Sequence, residues 1–245
     1  SNSSVRLAFY EAIARPLLVR LQRLPPSARK KHRRIIKQVL LDLARDMRGE
    51  PEERLNYFFY HLGIVEEDVH RLKDRRWWIR AQAARDLGLA RARGAMAPLA
   101  EALEDPQEDV RYEAMRALAA SIGVEALPTI LASHDRLSQW DAVELSVIVM
   151  QFREKAVPFV LNALQTASTE VVLFCLEMLA EIGFVAAVEP VRDLARSYPN
   201  VLVRAKAMEV LGRLGDGRAE SLLIREINNP FPGLRLSAIR ALAQI

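Results

Sequence analysis
The 245-residue sequence predicts an all-α fold, an α-solenoid of stacked helical hairpins with a helical N-terminal cap. Three observations predict it. A segment marked by one arginine recurs at a fixed offset, and a turn with a second apolar helix follows each copy. Nowhere does period-two alternation run between turn signals, so no strand pattern competes.

The first two copies, Trp78-Ile79-Arg80-Ala81-Gln82-Ala83-Ala84 and Asp109-Val110-Arg111-Tyr112-Glu113-Ala114-Met115, lie 31 residues apart. Two more keep the same phase, Val203-Arg204-Ala205-Lys206-Ala207-Met208 and Leu234-Arg235-Leu236-Ser237-Ala238-Ile239. Between them, Trp140 to Phe152 and Val171 to Ile182 keep the apolar spacing without the arginine, as degenerate copies. Three residues after each arginine comes Ala83, Ala114, Ala207 or Ala238, and seven after it Leu87, Leu118, Leu211 or Leu242. Those offsets mark one helical face. Turns follow at Gly94, Gly123, Gly183 and Gly215-Asp216-Gly217, and Gly212 is read with them. The second helices begin near Pro98, Pro128, Pro158 and Pro190, where a missing N–H costs nothing. Asp74, Asp105 and Asp135 precede the marked position by about six residues and are expected to cap the next first helix. Residues 71–245 thus read as five repeats of period 31 and a partial sixth.

Residues 1–70 do not follow this phase but read as a basic helical cap. Val5 to Leu24 is amphipathic with a kink at Pro16; Ser27 to Met47 opens on a serine cap; Pro51 to His61 and Val65 to Lys73 each follow a glycine. Tyr57-Phe58-Phe59-Tyr60 puts aromatics on two faces, which fits a helix buried between layers.

Composition bounds the function. Apolar residues make up 51% and charged residues 27%, enough to bury a core, while 12 prolines and 10 glycines are too few for a low-complexity chain. The single cysteine, Cys175, rules out an intrachain disulfide and a cysteine-based metal site. No run reaches the roughly 18 consecutive apolar residues of a membrane span, so the chain is expected to be soluble. Ser1-Asn2-Ser3-Ser4 has no signal-peptide character.

The residues Asp74, Ile79-Arg80, Ala83-Ala84, Leu87-Gly88 and Pro98-Leu99, with their copies in phase, resemble the HEAT repeat family in its short bacterial form. The resemblance implies that the marked arginines are structural, each pairing with an aspartate of a neighbouring repeat. The segment from Asp74 to Arg85, with Glu52-Glu53-Arg54-Leu55 and Leu62-Gly63-Ile64-Val65-Glu66 upstream, is similar to a bacterial HEAT-repeat subgroup found beside glycosyltransferases and anchored by an N-terminal membrane helix. That likeness implies a cytoplasmic position at a membrane, held by a segment preceding Ser1, with an exopolysaccharide-type glycosyltransferase as partner.

No catalytic, cofactor or metal site emerges. His32, His61, His70 and His134 lack metal-ligand spacing, and Gly212, Gly215 and Gly217 are in the wrong order for a phosphate loop. Cys175 lies on an apolar helix face as a core residue. Trp77-Trp78 among arginines has the look of a DNA glycosylase built on HEAT-like repeats, but Ile79 and Arg80 follow where that enzyme's carboxylate would stand. Phycobilin lyases also use such repeats, and no pigment-specific residue is present here.

The reading is therefore a non-enzymatic protein–protein interaction scaffold. Its expected contact surface is a concave face bearing Glu101, Glu104, Asn162, Gln165, Arg192 and Arg196 as exposed residues. The degenerate repeats, with Trp140, Phe152 and Phe174, are a second candidate, although core packing is the first expectation for those aromatics. The alternative is an anionic-polymer binder, for nucleic acid or anionic lipid, using Arg29, Lys30, Lys31, Arg33, Arg34 and Lys37. Of these partners, a protein is expected first, an anionic membrane surface second and nucleic acid last.

Overall fold
The computed structural model describes residues 32–245 except 48, 134–136 and 167, together with positions 16, 19, 20, 23, 25, 27 and 28. The helix expected from Val5 to Leu24 and the start of the one expected from Ser27 fall outside the continuously described residues. Among the described residues every regular element is helical. In order they are α1 (Arg33–Asp46), α2 (Glu50–His61), α3 (Ile64–Arg71), α4 (Trp77–Leu89), α5 (Met96–Ala102), α6 (Glu108–Ile122) and α7 (Leu127–Ala132). There follow α8 (Gln139–Phe152), α9 (Val157–Thr166), α10 (Thr169–Ile182), α11 (Val188–Ser197), α12 (Val201–Arg213), α13 (Glu220–Glu226) and α14 (Pro232–Leu242). The fold is an α-solenoid of HEAT-like hairpins, in which α4, α6, α8, α10, α12 and α14 are the successive first helices.

The chain forms two compact units that divide between Gly123 and Val124. That division falls in the turn after α6, and within the first unit α1 and α3 pack on α4. In this first unit α4 lies against α6, and α5 closes the hairpin. In the second unit α8, α10, α12 and α14 pack in succession, with α9, α11 and α13 beside them.

The apolar face read from the sequence is the packed face. Ala83, Ala114, Ala207 and Ala238 are wholly buried, and the degenerate repeats place Leu145 and Leu176 at the same position, equally buried. A 3₁₀ turn joins the two helices of each repeat and ends on an alanine with no exposed surface: Ala95, Ala126, Ala156, Ala187 and Ala219. Residues 108–132 are long and apolar enough to cross a membrane by length and composition alone. However, α6 ends at Gly123, where φ is +70°, and Val110, Ala114, Met115 and Leu118 are core side chains. The apolarity of that stretch belongs to repeat packing.

Gly212 is not a turn glycine, as its place in the sequence suggested, but lies inside α12. A Cβ there would come 2.7 Å from Cα of Ala241 on α14, and one on Gly88 of α4 would come 2.8 Å from Cα of Ala117 on α6. The opposing atoms are backbone, so the first helices touch main chain to main chain. Gly215 is the glycine that turns the chain, with φ +69°.

Charge holds the N-terminal helices to the first repeat. Asp68 of α3 is 2% exposed, and Asp86 of α4 is also buried. Lys37 of α1 lies 2.6 Å from Asp68 and 2.7 Å from Asp86, and Arg71 adds a 2.8 Å contact to Asp68. Burial pushes the Asp68 carboxyl above its ordinary range, against the opposing pull of Lys37. Asn56 of α2 donates to the carbonyls of Ala90 and Arg91, satisfying the C-terminal end of α4. In the second unit, Arg213 of α12 reaches Glu177 and Glu181 of α10 at 2.6 and 3.0 Å, and Lys206 also pairs with Glu177. Burial by itself would raise the Glu177 carboxyl; the hydrogen bonds from Lys206 and Arg213 outweigh it and hold it low.

Two outcomes follow from this packing. Gly212→Ala will destabilise the chain by about 1–3 kcal/mol through overpacking, whereas Gly233→Ala, with open space around it, will not; thermal melting of both variants checks this. Lys37→Met will cost about 3–5 kcal/mol at neutral pH by leaving two buried carboxylates short of a counter-charge. The sign with pH is fixed by the raised carboxyl. A group held above its unfolded value of 3.8 contributes most below that value, and its contribution is lost as pH rises through the folded pKa. Melts across the acid range will therefore show the Lys37→Met deficit shrinking as pH falls.

Candidate interaction surfaces
The loops before α4, α6 and α14 carry backbone groups that need partners, and Arg80, Arg111 and Arg235 supply them. Arg80 donates through Nη1 to the carbonyls of Asp74 and Arg75, at 2.9 and 3.2 Å. Arg111 does the same to Asp105 and Pro106, and Arg235 to Asn229 and Pro230. Arg80 also grips the Asp105 carboxylate of the next repeat with Nε and Nη2, at 2.6 and 2.8 Å. This two-pronged geometry suits a planar guanidinium and a planar carboxylate. The structural pairing expected of these arginines is thus present at Arg80; Asp135, the corresponding residue one repeat on, lies outside the described residues.

Asp74 and Asp105 do not cap α4 and α6, contrary to the expectation from their spacing. Each stands two residues before the N-cap position, and its side chain accepts from the backbone N–H of that N-cap residue, Arg76 or Gln107. Hydrogen bonds from the Arg76 side chain and backbone hold the Asp74 carboxyl down at about 2. The aspartates brace the loop and leave the helix start to other partners.

The residues expected to bind anions are divided. Arg29, Lys30 and Lys31 lie outside the described residues. Arg33 is engaged by Glu67 and by the carbonyls of Leu62 and Gly63, each at 2.6 Å, where α2 turns into α3. Lys37 is held in the Asp68–Asp86 cluster, and Arg34 is exposed. Arginines between residues 71 and 91 are similarly engaged, Arg71 on Asp68, Arg76 on Asp74, Arg80 on Asp105 and Arg91 on Glu52.

The six residues expected on a concave face are not equivalent. Glu101 and Glu104, at the C-terminal end of α5, are exposed, as are Asn162 and Gln165 of α9 and Arg196 of α11. Arg192 is not available as expected: it is 6% exposed, bonded to Asp216 through Nε and Nη2 at 3.1 and 2.7 Å and to Glu189 at 2.8 Å. It holds the turn before the 3₁₀ segment of the following repeat, an arginine–carboxylate clamp between two repeats rather than a contact for a partner. Glu101 and Glu104 belong to the first unit and the other four to the second.

The aromatics of the degenerate repeats separate as well. Phe174 is core and Phe152 half-buried, but Trp140 is 53% exposed. On the same face of α8, Val143 is 56% and Val147 61% exposed. Their spacing puts all three in one stripe. The equivalent positions are Asp109, Tyr112 and Arg116 in α6, and Leu202, Ala205 and Glu209 in α12. The start of α8 is fixed by a capping box, with Ser138 accepting from the Asp141 N–H and Asp141 reaching back to Ser138. The sequence named Trp140 but not the two valines, which carry no motif; only the one-residue-in-three-or-four spacing could have revealed them.

Among the described residues no group of three or more His, Cys, Asp and Glu side chains could hold a metal. His134 lies outside them. Cys175 is buried, and burial pushes its thiol up to about 12, far from a thiolate nucleophile. Trp77 and Trp78 meet edge to face at 6.0 Å and are both exposed.

Residues 69–147, spanning α4 to most of α8, match the family model for HEAT repeats. No curated protein matches the chain. Among solved structures, the chain is similar to an engineered protein at 18% identity and TM-score 0.44, over 74% of this chain and 97% of that one. It is also similar to human deoxyhypusine hydroxylase in complex with glycerol, at 15% identity and TM-score 0.37 over 87% and 98% of the two chains. A third similar structure is the complex of CpcE and CpcF of phycocyanin lyase from Nostoc sp. PCC7120, at 20% identity and TM-score 0.38 over 73% and 75%.

Proposed function
We propose that this chain is a non-enzymatic scaffold that binds another protein, and that its partner is a glycosyltransferase at the cytoplasmic face of a bacterial membrane. The observation that carries the scaffold reading is the stripe of Trp140, Val143 and Val147 on α8, apolar and more than half exposed at each residue. A helix in water gains nothing from three such side chains on its outer face, and a contiguous apolar patch is the mark of a surface that is covered in use. A large aromatic beside two β-branched residues offers the rigid, desolvatable contact that anchors protein interfaces. The identity of the partner rests on the resemblance of the Asp74 to Arg85 segment and its upstream residues. The anion-binding alternative receives less support, since Arg33 and Lys37 are already bonded within the chain.

Affinity capture from detergent-solubilised membranes of the source, read by mass spectrometry, tests this. The expected result is a stoichiometric protein that is lost with Val143→Lys/Val147→Glu. Those two changes lie on solvent, so melting will stay within about 0.5 kcal/mol of the parent. Recovery of nucleic acid or anionic lipid without a protein would overturn the scaffold reading, and a stoichiometric protein other than a glycosyltransferase would overturn the partner assignment alone.

A further inference from the structure
Arg204 departs from the other marked arginines in what it touches. Its Nε is buried without a hydrogen-bond partner, and no ion pair engages its guanidinium among the described residues. Two separate sequence differences produce this. Upstream, the loop is Tyr198-Pro199-Asn200, and Asn200 stands four residues before the arginine, where Asp74, Asp105 and Asn229 stand six before theirs. Asn200 is a true N-cap, accepting from Leu202 N–H at 2.8 Å, so α12 begins directly after it. The carbonyls that Arg80, Arg111 and Arg235 use have no counterpart bonded to Arg204.

Downstream, Arg80 finds Asp105 25 residues on, whereas the residue 25 beyond Arg204 is Asn229. Asn229 is spent elsewhere. Its Nδ2 donates to Glu226 at 2.6 Å and its Oδ1 accepts from Phe231 N–H at 3.0 Å. The repeat therefore holds a guanidinium in the place where another repeat holds a guanidinium–carboxylate pair, with the carboxylate missing. A buried N–H of a charged group without an acceptor is costly.

We propose that Arg204 receives a carboxylate from a protein partner, an acidic side chain flanked by apolar residues, which completes the pair that Arg80 and Asp105 form internally. This deepens the scaffold reading and rests on it. Arg80 shows the ligand geometry, two N–H donors on the two oxygens of one planar group, which selects a carboxylate. Leu202, two residues before Arg204, and Phe231, two residues after Asn229, are exposed apolar side chains that would contact the residues on either side of the acid.

The test uses the full chain, ¹⁵N-labelled, with the Arg204 Nε–Hε resonance followed during titration with acetyl-Phe-Glu-Leu-amide and with its Gln counterpart. The expected result is a saturable shift with the Glu peptide, at least about tenfold weaker with the Gln peptide and absent in Arg204→Gln. A second variant, Asn229→Asp/Glu226→Gln, supplies the carboxylate from within and keeps the bond between positions 226 and 229 with its donor reversed. It will melt higher than the parent and lose the peptide response. No response in the parent chain, equal response to both peptides, or a peptide response that survives the internal carboxylate would each overturn the proposal. Failure here leaves the scaffold reading standing if a protein is still captured through α8; failure of that capture removes both.

Discussion

The close approach of successive first helices is the constraint on which the rest depends. Gly88 against Ala117 and Gly212 against Ala241 bring main chain to main chain, with no room for a Cβ on the glycine. Contact at that distance requires small residues on both sides, and Ala117 and Ala241, each six positions after a marked arginine, supply them. Short hairpins of 6 to 15 residues per helix could not stand alone. Stacking turns each apolar face into a continuous core, so stability resides in the interfaces between repeats more than within any one of them.

Helices held so closely must also be held in register, and the loops do this with polar groups. Arg80, Arg111 and Arg235 donate to carbonyls five and six residues back, Asp74 and Asp105 accept from the N–H two residues on, and Arg80 ties its own repeat to the next through Asp105. A loop that crosses from one repeat to another exposes main-chain groups that no helix satisfies. An arginine reaches them because its apolar stem can lie along the helix surface while its fork spreads over several acceptors.

Periodicity made the architecture legible from sequence, because the residues that set it, Arg, Ala, Leu and Pro at fixed offsets, are dictated by local geometry. Less legible was the buried alanine closing every 3₁₀ turn, since alanine is common and marks no motif. Gly212 was misread because a glycine near a turn and a glycine at a helix contact look alike in one dimension; only the partner, Ala241, distinguishes them. Arg192 shows the same limit for the surface. Helical phase placed it among exposed residues, while Asp216, 24 residues on, draws it into a buried pair that no spacing rule foretells. Basic residues were the least legible, because a run of positive charge reads as a surface until its partners, Asp68 and Asp86 for Lys37, are located in space.

The repeat breaks its own pattern on α8, α10 and α12, and on two of these, α8 and α12, the departure leaves side chains uncovered or unpaired. On α8 the arginine is gone and the outward positions hold Trp140, Val143 and Val147; on α12 the arginine remains but both of its partners are gone. Neither feature helps the chain fold. Exposed positions accept polar residues at almost no cost, so nothing in the packing calls for a tryptophan and two valines there. Similarly, a single aspartate at position 229 would have repeated the Arg80 arrangement. Folding does not require these departures, and at Arg204 one of them opposes it, which is why the proposed contacts are placed there. Both lie in the second unit, which also holds the two first helices that lack the marked arginine, α8 and α10.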